Sequence, residues 1–196
     1  MLFDPLYGNN DRIEDFNPEY RCILEDFCIT LAELGKDKTI NPTDKCVALM
    51  KDEGKYVYYF AIGSMMNIVS ITNRKVFPVE SFPAEALNHI LEFGGKLGMG
   101  LATPKEGESF HGVVHKLTDT HMRLLDTIER GYARTPITCR KYDGTEMTAY
   151  IYTDGNGSFD RSADKPPSER YINIMTDGAK MFGVKQSHID WLTNHE

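Results

Sequence analysis

Long hydrophobic runs are missing from this 196-residue chain. No stretch approaches the ~18 consecutive apolar residues that a membrane-spanning helix needs, so no span is expected. The opening Met1-Leu2-Phe3-Asp4-Pro5 lacks the basic and apolar regions of a secretory leader. Cysteine is sparse: Cys22, Cys28, Cys46 and Cys139 form no CxxC pair and no zinc spacing. They read as reduced thiols of a cytoplasmic protein, with Cys139 in the core. Basic clusters are also absent. The 22 Lys and Arg are scattered among 29 Asp and Glu, giving a net charge of −7, which argues against nucleic acid and anionic membranes as partners. The six histidines include no HExxH motif. His111 and His115 fall on one face of an expected strand, too far apart to chelate easily. Asp154-Gly155-Asn156-Gly157-Ser158 imitates the start of a calcium loop, but Phe159 stands where that loop needs Gly and Lys165 where it needs Glu. No glycine-rich phosphate loop appears, and Gly63-Ser64 is not a G-x-S-x-G elbow. No metal and no organic cofactor are therefore expected.

What is present is ordinary globular composition, 41% hydrophobic and 26% charged, at a length that suits one domain with an appendage. The chain divides near residue 55. Residues 1–55 carry 12 acidic and 7 basic residues, most of the negative excess. They read as an irregular start followed by a probable helical hairpin. Asn17-Pro18 opens its first helix, Gly35 ends it, and Ile23, Leu24, Phe27, Leu31 and Leu34 form one stripe. Asn41-Pro42 opens the second, before Gly54. This extension is either a cap on the main core or a surface for a partner or homodimer.

Residues 56–196 are strand-rich. Lys55–Ile62 reads as a buried strand. Ala84–Phe93 is ambiguous between helix and strand, and strand is assigned from about Leu87 to Phe93. Phe110–Leu117 alternates as a strand. Thr118 caps a helix to Glu129 with Met122, Leu125 and Ile128 inward. Ala133–Tyr142 and Glu146–Thr153 form a hairpin across Asp143-Gly144. Asp154–Pro167 is a polar loop. Ser168 caps a helix to about Phe182, and a short helix follows over Gln186–Thr193. The expected class is α+β, a small mixed β-barrel-like sheet with flanking helices plus the N-terminal helical extension.

Two features carry chemistry. The first strand runs into Gly63-Ser64, where backbone N–H groups can turn outward as an anion cradle. Glu129 ends a helix as a lone carboxylate. A cradle and one acid suffice for a reaction in which protons move while the substrate attacks itself.

The order of motifs resembles the gamma-glutamylcyclotransferase family. The matching segments are Tyr59-Phe60-Ala61-Ile62-Gly63-Ser64-Met65, Gly112-Val113-Val114-His115-Lys116, Leu125-Asp126-Thr127-Ile128-Glu129, Pro167-Ser168-Glu169-Arg170-Tyr171 and Gly178-Ala179-Lys180. The resemblance spans about residues 56–194. It implies a small mixed barrel and a reaction converting a γ-glutamyl amino acid, peptide or amine to 5-oxoproline and free amine. By position Glu129 is the general acid/base. Tyr59, Phe60, Ala61, Ile62, Gly63, Ser64, Met65 and Tyr171 are the substrate-binding residues, and the partner is a small γ-glutamyl molecule. The sequence departs from the family at two of these: Ile62 replaces a tyrosine and Met65 an asparagine. Both changes remove polar groups and bear on substrate choice. The alternative is a non-catalytic binding or interaction protein on the same fold.

Overall fold

The computed structural model describes residues 55–154 and 164–194. The expected hairpin over residues 17–54, three of the four cysteines and most of the calcium-like loop lie outside the described residues. Five strands close into one barrel. They are β1 (Tyr56–Ala61), β2 (Glu80–Gly94), β3 (Met99–Thr118), β4 (Ala133–Lys141) and β5 (Glu146–Thr153). Their order is β1-β3-β2-β4-β5, and β5 returns to β1. Every pairing is antiparallel except that closure, which is parallel and brings Tyr59 opposite Tyr150. The mixed barrel expected from the sequence is thus present.

Among the described residues four helices flank it: α1 (Ile68–Asn73), α2 (Asp119–Ile128), α3 (Glu169–Met181) and α4 (Gln186–Thr193). Their starts follow side-chain chemistry. Thr118 accepts the His121 N–H, and Ser168 accepts the Tyr171 N–H, each satisfying a donor that the first turn leaves open. On α2, Met122 and Leu125 are wholly buried against the barrel. Burial of each such side chain is worth about 1.5–3 kcal/mol. Phe60, Leu117, Ile151 and Met175 complete the centre of the core with no exposure. Cys139 on β4 is buried there too, and burial pushes its thiol up to about 11.

Three segments differ from expectation. β2 starts at Glu80, not Leu87, and runs straight through Pro83. Pro83 lies just outside Ala84–Ala86, the stretch that also pairs with β4, so a residue without an N–H is tolerated there. β3 begins at Met99, not Phe110. Its early half pairs with β2 in a largely solvent-facing hairpin, so polar residues conceal the alternation. The ladder slips between Leu87 and His89, where Asn88 adopts a positive φ and accepts the Gly107 N–H. The third difference is α1, together with a single 3-10 turn over Ser64–Met66 before it. The β-branched run Ile68-Val69-Ser70-Ile71-Thr72 has poor helix propensity, but Val69 and Ile71 are buried and Asn67 caps the start. Tertiary burial overrides propensity here.

Candidate active site

β1 ends at Ala61, and the chain turns through Gly63-Ser64 into the 3-10 turn. Two elements fix that turn from outside. His115 on β3 is wholly buried, with Nε2 2.8 Å from the Met65 carbonyl and Nδ1 2.7 Å from the Ser81 hydroxyl. A carbonyl only accepts, so Nε2 carries the proton and Nδ1 accepts from Ser81. Burial holds the ring at about 4, against the pull of the Met65 carbonyl, so it is neutral near pH 7. The second element is α3. Asn67 donates from its amide to the Ile174 carbonyl, and Gly178 lies directly on the Met66–Asn67 backbone, where an added Cβ would sit 2.6 Å from the Asn67 nitrogen. Glycine at 178 is what lets α3 approach the turn this closely.

The same helix delivers Tyr171. Its hydroxyl accepts the Gly100 N–H at 3.1 Å and packs against the Cα of Gly63, leaving no room for a side chain at 63. Burial pushes its phenol up to about 12, the Gly100 and Ser64 backbone N–H groups opposing and Tyr132 and Glu129 adding.

Glu129 caps the C-terminal end of α2. Its N–H donates to the Leu125 carbonyl, and its own carbonyl accepts the Tyr132 N–H. It is half-buried. Desolvation raises its pKa, and the positive charge of Arg74 opposes the rise. Raised carboxylate pKa values mark groups suited to proton transfer near neutral pH.

These residues meet around one cavity of about 70 Å³. Of the substrate-binding residues named from sequence, Tyr59, Phe60, Ile62, Gly63, Ser64, Met65 and Tyr171 line it together with Glu129. Ala61 does not: its methyl is fully buried in the core and its Cα pairs with Val113. Ala61 shares a face of β1 with Tyr59, whose long ring reaches the cavity where a methyl stops in the core. Four further lining residues escaped the sequence reading: Met99, Gly100, Tyr132 and Tyr152. Tyr152 is tied to the helix-end motif, since Asp126 accepts its hydroxyl at 2.7 Å while also pairing with Arg134 at 3.1 Å. Burial is the main cause of the raised Tyr152 pKa, followed by Asp126. Tyr59 is raised well above the usual phenol range, first by burial and then by the Glu129 charge. The cavity is therefore a phenol-rich pocket around a single carboxylate, closed on one side by a backbone turn. Met99 and Gly100 come to the cavity at the start of β3, beside the end of β2, and nothing in their local sequence announces them.

A small mixed barrel whose first strand ends in a Gly-Ser turn, facing an acid at a helix end, defines a cyclotransferase-type fold. The family model described as gamma-glutamyl cyclotransferase, AIG2-like, matches residues 59–173, more than half of the chain. The chain belongs to this family. Among solved structures it is similar to one titled gamma-glutamyl cyclotransferase, at 25% identity and a TM-score of 0.63, covering 72% of this chain and 89% of that one. An uncharacterized protein from Homo sapiens is similar at 24% identity, TM-score 0.62, covering 72% and 88%. YkqA from Bacillus subtilis shares the fold at 16% identity, TM-score 0.62, covering 76% and 58%. No curated protein matches the chain.

Proposed function

We propose that this protein is a cytosolic cyclotransferase that converts a γ-glutamyl amino acid, peptide or amine to 5-oxoproline and the free amine, with Glu129 as general acid/base. The observation that carries the reading is Glu129 itself: half-buried, raised in pKa, and lining one cavity with the Gly63-Ser64 turn. The substrate's α-ammonium group gives a proton to Glu129. The freed amine attacks the γ-carbonyl, and the oxyanion is held by backbone N–H groups of the turn. The tetrahedral centre then collapses as Glu129 returns the proton to the departing nitrogen; the regenerated carboxylate takes the second proton from the ring nitrogen, leaving the lactam N–H, and passes it to the released amine, which departs as an ammonium ion. Attack within one molecule carries a large effective molarity, so the protein need only fold the substrate and move two protons from the attacking nitrogen to the departing one.

Ile62 and Met65 favour a second reading for the pocket. Both line it and both are nearly buried, so the cavity has an apolar wall where the resemblance places a phenol and an amide. An enzyme acting on an apolar γ-glutamyl amine, or a binder without turnover, follows from that wall. The test is incubation of the full chain with a panel of γ-glutamyl dipeptides, γ-glutamyl amines and glutathione, assayed for 5-oxoproline, beside the Glu129→Gln variant. Release of 5-oxoproline that falls in the variant supports the enzyme. No release from any member, with saturable binding retained, selects the binder.

A further inference from the structure

The Tyr171 hydroxyl has an uneven hydrogen-bond balance. Its oxygen accepts the Gly100 N–H at 3.1 Å, and the Ser64 N–H is a second backbone donor to it. A hydroxyl oxygen accepts two such bonds and donates one, so its acceptor capacity is spent. What remains is its own proton, and no acceptor for that proton occurs among the described residues. Buried polar groups are almost always partnered, and one left over calls for an explanation. In a pocket, an oxygen of a ligand is one.

Position and restraint agree with this. The phenol oxygen rests against Gly63. Gly63, Ser64, Gly100 and Tyr171 all line the Glu129 cavity, so the open space they share is that cavity. The ring is held from behind by Phe93, edge-on at 6.4 Å and 86°, and it rides on the first turn of α3, which Ser168 caps. Burial pushes the phenol up to about 12, so the donor keeps its proton near neutral pH.

The substrate decides which atom receives that proton's bond. A γ-glutamyl group offers two acceptors, its α-carboxylate and its γ-carbonyl, while its ammonium group only donates. The cavity, about 70 Å³, is smaller than the roughly 150 Å³ that holds benzene. The groups on its wall therefore act on one small region, and the Glu129 charge does reach the Tyr171 phenol. Negative charge develops on the γ-carbonyl oxygen as the amine attacks. A donor already fixed by backbone N–H groups needs no reorganisation when that charge appears.

We propose that Tyr171 is a catalytic residue whose O–H donates to the γ-carbonyl oxygen and binds it more strongly as the oxyanion forms. This role rests on the cyclotransferase reading above and adds a side-chain donor to the backbone donors of the turn.

The test compares the full-length native chain with Tyr171→Phe, which keeps the ring and removes the proton, on the best γ-glutamyl substrate of the panel. Loss of one oxyanion donor costs about 10²–10³ in kcat, so kcat should fall by that factor while KM stays within about twofold. 3,5-Difluorotyrosine placed at 171 keeps the donor but ionises at lower pH. The alkaline loss of kcat should move down with it, a readout that serves even if Tyr171→Phe fails to fold. Unchanged kcat in Tyr171→Phe, a rise in KM alone, or an alkaline limb that does not move would overturn the proposal. So would a fall in KM with kcat kept, which would make the hydroxyl an occupant that substrate displaces. Calorimetric titration with 5-oxoproline reads the donor without turnover. Its lactam carbonyl is the former γ-carbonyl, so the native chain should bind it about fivefold more tightly than Tyr171→Phe. Release of 5-oxoproline without that difference removes the role of Tyr171 and leaves the cyclotransferase reading. The difference without release from any substrate removes the reading and leaves a carbonyl donor. A native chain that neither releases nor binds 5-oxoproline removes both.

Discussion

Replacing Gly178 by Ala sets two effects of opposite sign against each other. Gly178 lies inside α3, and in a helix interior Ala is favoured over Gly by about 1 kcal/mol. On propensity alone the variant is more stable. Packing says the reverse. The new Cβ would lie 2.6 Å from both the Asn67 nitrogen and the Met66 carbonyl carbon, and 2.7 Å from the Met66 oxygen. Ordinary carbon contacts are ~3.5–4.0 Å, so α3 must back away from the turn by about 1 Å. All three atoms are backbone, which has no rotamer to offer as relief. Overpacking of this kind costs about 1–3 kcal/mol, and a clash with backbone alone belongs at the upper end. The net expectation is a loss of about 1–2 kcal/mol, seen as a melting temperature lower by roughly 2–8 °C. The same shift loosens the Asn67–Ile174 hydrogen bond and the seat of Tyr171 against Gly63. Substrate affinity should therefore fall with stability, and KM should rise more than kcat falls. Thermal unfolding by circular dichroism, with urea titration as a second probe, measures the first part. A variant as stable as the native chain, or more so, would refute the close approach of α3 to the turn.

The remaining expectations concern charge. Glu129→Gln keeps shape and removes the proton acceptor, so 5-oxoproline release should drop by about 10²–10⁴ with little change in melting temperature; full activity in that variant would remove the proposed mechanism. Asp126→Asn weakens the anchor of Tyr152 and should cost about 1–2 kcal/mol in urea unfolding, an effect that should vanish in a Tyr152→Phe background if this contact is its source. His115 takes its proton at about 4 when folded and near 6.5 when unfolded. The unfolded state therefore binds the extra proton first as pH falls, and His115 by itself lowers stability between pH 6.5 and 4 by about 3 kcal/mol, with His188, also held at about 4 by burial, adding in the same sense. Glu129, with its raised pKa, acts in the opposite sense, so this comparison of urea midpoints at pH 7 and pH 5 is best made in the Glu129→Gln variant. The drop should be smaller when His115→Gln is added, and an unchanged drop there would show that His115 is not the buried neutral ring described.

Much of the site was legible because it rests on residues whose chemistry is local. Thr118 and Ser168 announce helix starts, and Asp143-Gly144 announces the β4–β5 hairpin. The helix-end position of Glu129 followed from the stripe Met122, Leu125 and Ile128. What stayed hidden depends on closure. Gly100 meets Tyr171 across 71 residues, and His115 meets Met65 across 50; neither pairing leaves a periodic trace. Ala61 was drawn into the site only by adjacency; its methyl stops in the core, while Tyr59 on the same face of β1 is long enough to reach the cavity. α1 was missed because its β-branched residues favour a strand until burial decides otherwise. The solvent-facing half of β3 was missed because alternation is a record of one-sided burial, and that segment has little of it.

The replacement of two polar positions by Ile62 and Met65 is easier to understand once the supports of the turn are separated from its lining. The turn is held by Asn67 on Ile174, by His115 on the Met65 carbonyl, and by Gly178 against its backbone. None of these supports uses the side chain of residue 62 or 65. The shape of the cradle is therefore set by backbone and by residues outside the cavity, while 62 and 65 form part of its wall and pack into the core behind it. Changing them alters what the pocket accepts without dismantling the turn. The expected result of Ile62→Tyr with Met65→Asn is a shift of preference toward small polar γ-glutamyl dipeptides, with a lower melting temperature because both positions are nearly buried. The measurement is kcat/KM for such a dipeptide and for an apolar γ-glutamyl amine in both proteins. If the variant folds and the ratio of the two does not move, the wall does not select the substrate.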